Sequence, residues 1–301
     1  MSSYGETIRK IRLDKGISQK ALYTGILSKS YAIEFEKGKH EISLKRIEQI
    51  LDQLIVPLDE FLFIYRGYSL SEKEWFSARY AEYGNSNNLT GLYSLLKEYE
   101  HRKDSLSEIR SAEIRSRIRQ LNEFNQERHY KKSAILAEDQ LIIQQYLSNL
   151  ESWTLHEIQL FANTLDFIDY QQKATYFKAL TPSFEKYRNY DRGKQILCGF
   201  LTNVIYELIQ DNELLLAEHL VNELHSLSTQ LTEIFFKIVA KFYQGLIFIG
   251  QLNKEKGQAM TQEAIGILLA LDQNHQAKLF EVIATDFNEK IKAAQDRKSV
   301  V

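Results

Sequence analysis

The amino-acid sequence predicts an all-α protein, with a five-helix domain that contains a helix-turn-helix and a tetratricopeptide-like α-solenoid after it. Helix breakers are scarce, since 301 residues include only two prolines and 13 glycines. Short, capped helices fit the first 66 residues, whereas long amphipathic stretches with short polar joints follow from about Ser71. We therefore predict one domain over residues 1–66 and a helical-repeat domain over residues 67–301.

Serine caps and glycine or proline stops define the five short helices. The first covers about residues 6–15 and ends at Gly16, because glycine favours the backbone turn that closes a helix. Ser18, Ser28 and Ser43 each precede a helix, since a serine hydroxyl accepts a hydrogen bond from a free backbone N–H of the first turn. The next predicted spans are Gln19–Tyr23, Lys29–Glu36, about 44–54 and, after the helix-breaking Pro57, a fifth helix that opens at Asp59.

The rest of the chain predicts helix pairs with a repeat. The predicted pairs cover residues 72–84 and 89–101, 107–127 and 134–151, 153–168 and 171–189, 192–210 and 213–226, and 230–250 and 258–271, and a last helix covers 275–294. The stretches "LFANTLDFI", "FLTNVIYELI" and "KFYQGLIFI" share an aliphatic and aromatic frame. Each carries an amide at one shared position, at Asn163, Asn203 and Gln244. A period near 40 residues indicates an α-solenoid, and the alternative is a non-repetitive helical bundle.

Charge and composition limit the classes of protein. The net charge is −2, but residues 1–66 hold 11 Lys and Arg against 9 Asp and Glu, which weakly favours nucleic acid as a partner of that region. The polar N-terminus has no signal-peptide core and no apolar run is long enough to span a bilayer, so we expect a cytoplasmic protein without a membrane partner. The single cysteine, Cys198, lies in an apolar run and is expected to be a buried side chain.

The sequence contains no motif of a catalytic or metal site. The seven histidines are scattered, with no His-Glu-x-x-His, Gly-rich phosphate loop or Cys-x-x-Cys, and His156 beside Glu157 is typical of an ordinary amphipathic helix. We therefore expect neither an enzyme nor a cofactor. The basic stretch from Arg102 to Lys132 has two interpretations, an additional contact to the DNA backbone or, the one we favour, a solvated helix face.

The second and third predicted helices have the pattern of a DNA-reading pair. Glu34 follows Ser30 by four residues and Lys29 is adjacent to Ser30, so we expect the three to share the outer face of the third helix. That face is suited to meet base edges, while the capped helix N-termini offer N–H groups to phosphates. The alternative is a packed pair of helices without a role in DNA binding.

The segment resembles the Cro/repressor class of helix-turn-helix domains. "IRLDKGISQKAL" matches that class's Arg-x-x-Lys-Gly-φ-Ser-Gln-x-x-Leu pattern, in which φ is apolar, and "FEKG" matches its φ-Glu-x-Gly. The resemblance implies a structural ion pair between Arg12 and Glu36. It also implies a set of DNA-binding residues. Gln19 is expected to contact a phosphate and Lys37 the DNA backbone. The base-facing region of the third helix comprises Ser28, Lys29, Ser30, Tyr31 and Glu34.

A second resemblance covers essentially the whole chain. Ser28 follows Leu22 by six positions, where the common pattern has seven, and this spacing resembles the Rgg/GadR/MutR family of regulators from low-GC Gram-positive bacteria. "YLSNLESWTLHEIQLFANTL" (146–165) is similar to that family's C-terminal signature, and "KFYQGL" with "QEAIGILLALDQ" fits its last repeats. The resemblance implies a homodimeric transcription regulator that binds double-stranded promoter DNA and, through its repeats, a short signalling peptide. We expect the helices from about Thr232 to Lys292 to support the dimer.

The amides of the repeats are the predicted peptide site. An amide offers a donor and an acceptor, so Asn163, Asn203 and Gln244 can match the backbone of an extended peptide. Nearby aromatic side chains are predicted to shape apolar pockets, namely Phe167, Tyr206 and Phe248. Two alternatives stay open: the amides cap or bridge helices inside the solenoid, or the solenoid binds a partner protein or a small metabolite.

Overall fold

The computed structural model describes residues 3–127, 135–165 and 184–299, together with Leu180 and Pro182. Throughout these residues the secondary structure is helical, which confirms the predicted all-α class. The chain divides into two compact units, Met1–Glu82 and Tyr83–Val301. The boundary after residue 66 stays a prediction, and each unit is described by itself.

The first unit contains the five predicted helices and most of a sixth. Their bounds are α1 Tyr4–Asp14, α2 Gln19–Tyr23, α3 Lys29–Glu36, α4 Leu44–Leu54, α5 Leu58–Tyr65 and α6 Glu72–Asn85. Helix α1 begins two residues before the predicted start because Ser3 and Glu6 form a capping box. The Ser3 Oγ accepts the Glu6 N–H at 3.2 Å, and the Glu6 Oε2 accepts the Ser3 N–H at 2.7 Å.

Each of the five short helices contributes a fully buried side chain to one core. Ile8, Leu22, Phe35, Ile50 and Phe61 are each at most 1 % exposed. Helices α1 and α3 also approach closely, since a Cβ added at Gly5 would lie 1.7 Å from the Phe35 carbonyl oxygen. The core thereby fixes α3 against its neighbours and leaves its opposite side to solvent.

The second unit is a succession of helices. Their bounds are α7 Leu89–Tyr99, α8 Ser105–Glu127, α9 Ala137–Ser148, α10 Leu155–Asn163, α11 Asp191–Gln210, α12 Leu214–Leu227, a 3-10 turn Leu231–Glu233, α13 Ile234–Gly250, α14 Lys254–Ala270 and α15 Asn274–Ser299. Helix α14 begins four residues before the predicted residue 258, and α15 extends past the predicted residue 294. Most of the partner helix predicted at 171–189 lies outside the described residues.

The packing of α11 to α15 follows a repeating pattern. Each helix packs against the next along the chain, and α11 also packs against α13, and α13 against α15. Because alternate helices contact one another, α11, α13 and α15 form one layer, which α10 continues through its contact with α11. This is the arrangement of an α-solenoid, as the 40-residue period predicts.

Three joints of this unit use the same tight turn. Asn212, Leu252 and Asp272 have left-handed backbones, with φ of 61°, 67° and 57°. In each joint the N–H of the following residue donates to the carbonyl five residues earlier, at 2.8 Å. Such a turn satisfies carbonyl groups that the helix end leaves free and sends the chain back antiparallel.

Helices α13 and α14 cross at two glycines. A Cβ added at Gly257 would lie 2.5 Å from the Gly245 carbonyl oxygen, and a Cβ added at Gly245 would lie 2.8 Å from that of Gly257. Any larger residue would therefore force the backbones apart. The crossing depends on the absence of side chains rather than on a specific bond.

We predict that Gly257→Ala destabilises the second unit by about 1–3 kcal/mol, the usual cost of overpacking. Gly266→Ala, in the same helix but in open space, is the control and should stabilise by up to about 1 kcal/mol, because alanine is the better helix former. Hydrogen-exchange mass spectrometry of the full chain measures both changes in α14. Equal protection in the two variants would contradict the close-contact argument.

Candidate DNA-reading surface and ligand-binding layer

A buried carboxylate joins the first three helices. Glu36 is 2 % exposed and Arg12 6 %. The Arg12 Nε and Nη2 donate to the two Glu36 oxygens at 2.6 and 2.8 Å, and the Arg12 Nη1 donates to the Ile17 carbonyl at 2.8 Å. Two residues of α2 complete the set, since the Gln19 Nε2 donates at 2.7 Å and the Tyr23 hydroxyl at 2.9 Å. One acceptor group from α3 thus binds donors from α1 and α2.

The protonation equilibria reflect this arrangement. Burial by itself would raise the pKa of Glu36, but the hydrogen bonds from Arg12, Gln19 and Tyr23 outweigh it and hold the pKa below its usual value. The bond to Glu36 raises the pKa of Arg12, and burial together with Glu36 raises the pKa of Tyr23. All three groups therefore keep their neutral-pH charge states across the physiological range.

The N-terminal half of α3 faces solvent. The Ser28 Oγ accepts the Tyr31 N–H at 3.4 Å, which places Ser28 as the cap of the helix. Lys29 and Ser30 follow it and are exposed, and the hydroxyl oxygens of Ser28 and Ser30 lie 3.4 Å apart. Three short or flexible polar side chains therefore stand together at a helix N-terminus, where N–H groups point outward.

Tyr31 contacts the loop that follows α3 and holds it against that helix. Its ring stacks on His40 with centroids 5.0 Å apart and planes 15° from parallel. Its hydroxyl donates to the Glu41 carbonyl at 3.1 Å. Sequence reasoning placed Tyr31 in the DNA-binding set and did not single out His40. The basic run "KGKH" directly after α3 was the feature of the sequence that pointed to this loop.

Glu34, predicted to face bases, is bound to two lysines. The Lys37 Nζ lies 2.8 Å from its Oε1 and the Lys39 Nζ 2.9 Å from its Oε2. These bonds, from Lys37 first and then Lys39, lower the pKa of Glu34 to about 2. Gln19, predicted to contact a phosphate, is half-buried and donates one N–H of its amide to Glu36.

In the second unit, two of the three predicted peptide-binding amides bridge neighbouring helices. The Asn163 Nδ2 donates to the Glu113 Oε1 of α8 at 2.8 Å, and the Asn203 Nδ2 of α11 donates to the Ala162 carbonyl near the end of α10 at 2.8 Å. A carbonyl in the last turn of a helix lacks an intrahelical partner, so Asn203 supplies one. The amide N–H groups of Asn163 and Asn203 therefore bridge helices, which is one of the alternatives left open by the sequence.

Glu113, on α8, is the buried carboxyl that Asn163 contacts. It is 5 % exposed, and burial raises its pKa to about 7, against the opposing effects of the Asn163 bond and the nearby Arg110 charge. A carboxyl with such a pKa exchanges its proton near neutral pH. Sequence reasoning missed it, because its position on α8 gave no sign of burial.

The remaining predicted ligand residues have different surroundings. Gln244 of α13 is half-buried, and its side chain forms no hydrogen bond within the described part of the chain. Tyr206 is half-buried against the core, and the Lys256 ammonium lies 3.9 Å from the centroid of the Phe248 ring. Phe167 lies outside the described residues. The structure therefore leaves Gln244 as the amide with the greatest freedom to bind a ligand.

The basic stretch is largely engaged within its own unit. The guanidinium groups of Arg102 and Arg110 lie over the Tyr99 ring at 4.8 and 5.0 Å, the Arg115 Nε donates to the Asp139 Oδ1 at 2.9 Å, and the Arg117 Nη2 donates to the Gly84 carbonyl at 3.2 Å. Arg128, Lys131 and Lys132 lie outside the described residues. These contacts favour a structural role for the arginines of α8.

The described residues contain neither a metal-binding cluster nor a membrane-spanning helix. There, no three His, Cys, Asp or Glu side chains come together in a way that could hold a metal ion. Nor does any described helix combine the length and apolar character that crossing a membrane requires.

Comparison with protein families matches both units. Residues 8–61 match the helix-turn-helix family, and residues 93–282 match the C-terminal domain of the helix-turn-helix transcriptional regulator Rgg. The chain belongs to the Rgg family. It is therefore a helix-turn-helix DNA-binding transcriptional regulator, as the resemblance predicted.

Solved structures share the fold of this Rgg family member over nearly its whole length. A candidate transcriptional regulator of Listeria monocytogenes EGD-e is 38% identical, with a TM-score of 0.83 over 95% of this chain and 97% of that one. The Streptococcus dysgalactiae SHP pheromone receptor Rgg2 is 22% identical, with a TM-score of 0.72 over 94% and 99%. PrgX in complex with cCF10 is 15% identical, with a TM-score of 0.67 over 94% and 98%.

We predict that Glu36→Gln lowers the free energy of unfolding of the first unit by about 3–5 kcal/mol, because it leaves the buried Arg12 cation without a counter-ion. Native-state hydrogen exchange of α1 to α3 in the full chain measures the loss. Glu48→Gln, an exposed change on α4, is the control and should stay within about 0.5 kcal/mol of wild type.

The same experiment has a pH dependence with a defined sign. The pKa of Glu36 is lower in the folded than in the unfolded chain, so its contribution is complete above the unfolded value of about 4.3 and is lost as pH falls through the folded value. Wild-type protection should fall in acid, and the fall should be smaller in Glu36→Gln. If protection falls equally with pH in wild type and in Glu36→Gln, Glu36 is not the source of the pH dependence.

Proposed function

We propose that this regulator binds promoter DNA through the N-terminal half of α3 and responds to a short, hydrophobic signalling peptide that its helical unit binds in the cytoplasm. It acts as a quorum-sensing switch without catalysis of its own. The exposed polar N-terminus of α3 carries the first half of this proposal. The unpaired amide of Gln244 in the α10–α11–α13 layer carries the second.

The DNA half is supported by how α3 is held. The bonds at Glu36 and the core beneath α3 immobilise its inner face, so Ser28, Lys29 and Ser30 are presented on a rigid element. Rigid presentation is what base reading requires, since each hydrogen bond to a base edge depends on position. Lys37 lies one turn beyond the base-facing region, where it suits a phosphate contact.

For the DNA contact, we predict that Lys29→Ala and Ser30→Ala each weaken binding to the promoter sequence by about 1–3 kcal/mol, the usual loss of a base-reading contact. Lys37→Ala should weaken binding to promoter and random DNA alike and reduce the salt slope by about one unit, as the loss of one phosphate contact does. Fluorescence-anisotropy titrations over a range of salt concentrations measure both effects.

Lys73→Ala, which removes an exposed lysine from α6 of the same unit, is the matched control and should bind like wild type. If Lys29→Ala and Ser30→Ala also bind like wild type, the reading surface lies elsewhere. A variant that loses affinity equally for promoter and random DNA would be a backbone contact instead of a base-reading one.

The peptide half is supported by the shared fold. Rgg2 is described as a pheromone receptor, and PrgX is known in complexes with cCF10 and iCF10. A further solved structure with this fold is a bacterial peptide pheromone/receptor complex. Rgg2 and PrgX match this chain over more than nine-tenths of its length. An extended peptide has unpaired backbone N–H and C=O groups, which a row of amides on successive helices can satisfy.

The bridging bonds also orient the amides. Because Glu113 Oε1 and the Ala162 carbonyl accept from Nδ2, the Oδ1 atoms of Asn163 and Asn203 are left as acceptors, and neither accepts a hydrogen bond within the described part of the chain. We therefore propose that these two oxygens accept hydrogen bonds from N–H groups of the peptide. Gln244 offers both its donor and its acceptor.

For the peptide site, we predict that Gln244→Ala weakens binding of the peptide about 5- to 150-fold, the equivalent of about 1–3 kcal/mol for a hydrogen bond lost in a desolvated groove. Its melting temperature should not change, because the amide has no intramolecular bond to lose. Asn203→Ala should lose both peptide affinity and stability. Fluorescence polarisation with synthetic hydrophobic peptides encoded beside the gene, paired with melting curves, separates these effects.

Gln262→Ala, an exposed amide on α14, is the control and should change neither quantity. If Gln244→Ala and Asn203→Ala bind peptide like wild type, the site lies elsewhere. If no encoded peptide binds the wild-type protein, the solenoid instead binds a partner protein or a small metabolite.

We also propose a homodimer. Five exposed apolar side chains lie near the start of α13 or the end of α14, two antiparallel neighbours, namely Leu231, Ile234, Phe235, Leu269 and Leu271. Exposed apolar side chains in such a group favour association. Two copies would present two reading helices, as helix-turn-helix proteins do for half-sites one helical turn apart.

A further inference from the structure

The C-terminal end of the reading helix carries a compact charged group. Both oxygens of Glu34 are bonded, Oε1 to Lys37 at 2.8 Å and Oε2 to Lys39 at 2.9 Å. The two lysine side chains are 51% and 62% exposed, whereas that of Glu34 is 32% exposed. The carboxylate therefore lies beneath two cations that face solvent.

The loop that carries these lysines is held in place independently of Glu34. Tyr31 stacks on His40 and donates to the Glu41 carbonyl. Gly38 has a φ of +74°, and a Cβ added there would lie 2.7 Å from the Ser3 Oγ, so the loop also lies against the start of α1. Because the loop has these anchors, loss of the Glu34 bonds would free the lysine side chains without releasing the backbone.

This geometry disfavours Glu34 as a reader of bases. A glutamate that reads a base accepts a hydrogen bond from the amino group of cytosine. Here both oxygens are already engaged by ammonium groups, and the lysines hold the pKa of Glu34 at about 2, so the carboxylate stays charged. A base would have to compete with two ammonium groups for these oxygens.

We propose that Glu34 is a positioning residue that restrains Lys37 and Lys39 and limits their attraction to DNA phosphates. The inference rests on the proposed DNA-reading surface. Phosphate contacts bind every sequence alike, whereas base contacts discriminate. A carboxylate that offsets one of the two lysine charges therefore lowers binding to random DNA and raises the ratio of specific to non-specific affinity.

The test is Glu34→Gln, which keeps the shape of the side chain and removes its charge. With a short random-sequence duplex as the probe, we expect about fivefold tighter binding near physiological salt and a salt slope steeper by about one unit, because the freed lysines displace more counter-ions. With a duplex selected from a randomised library by the wild-type protein, affinity should rise less. The ratio of the affinity for the selected duplex to the affinity for the random duplex should therefore fall.

Glu41→Gln is the matched control. It changes the net charge by the same amount in the same loop, but the Glu41 carboxylate has no lysine partner within the described residues. We expect less than a twofold effect. Lys37→Ala should also cost more affinity in the Glu34→Gln background than in wild type, since a lysine without its carboxylate partner is attracted more strongly to phosphate. Such coupling shows that the residues act through each other.

Three results would overturn the proposal. Weaker binding of Glu34→Gln to the selected duplex with a changed base preference would make Glu34 a base reader. Equal effects of Glu34→Gln and Glu41→Gln on DNA affinity would show only a general charge effect. If Lys37→Ala costs the same affinity in wild type and in the Glu34→Gln background, Glu34 does not restrain Lys37. If the wild-type protein binds neither duplex, the DNA-binding function itself fails.

Discussion

The first unit depends on one buried carboxylate. Glu36 accepts four hydrogen bonds from three side chains on two other helices, and burial makes each bond costly to lose. An isolated five-residue helix such as α2 is too short to be stable by itself. Its place therefore comes from packing and from this shared acceptor. The direction in which α3 presents its N-terminus follows from the same bonds.

The second unit depends on contacts between successive helices. Its layer is held by apolar packing, by the glycine crossing of α13 with α14, and by amides that bridge one helix to the next. Asn203 satisfies a carbonyl that the end of α10 leaves free, and its own oxygen stays available. A polar side chain in this position can support the fold and offer a hydrogen bond to a ligand. Structural and ligand-binding interpretations of these amides are therefore compatible.

Local chemistry explains why the elements were predictable. Ser18 and Ser28 cap helices that begin where the sequence indicates, and the spans of α2 and α3 agree with the prediction to the residue. Boundaries without such a signal were less accurate, as at α14, where Asn253 precedes the helix without a side-chain cap bond. At α1, the predicted start overlooked the capping box of Ser3 and Glu6, which adds two residues at its N-terminus.

The sequence by itself determined the helical class, the spans of α2 and α3, the repeat period and the family, because each depends on residue types at defined spacings along the chain. Only the tertiary structure decided what the polar side chains contact. Asn163 bonds to Glu113, 50 residues away, and Gln19 bonds to Glu36, 17 residues away. Even Glu34, whose lysines lie within five residues, required coordinates, since the pattern alone placed it on the DNA-facing side. Hydrogen-bond partners depend on distance and burial in three dimensions, which a spacing along the chain does not encode.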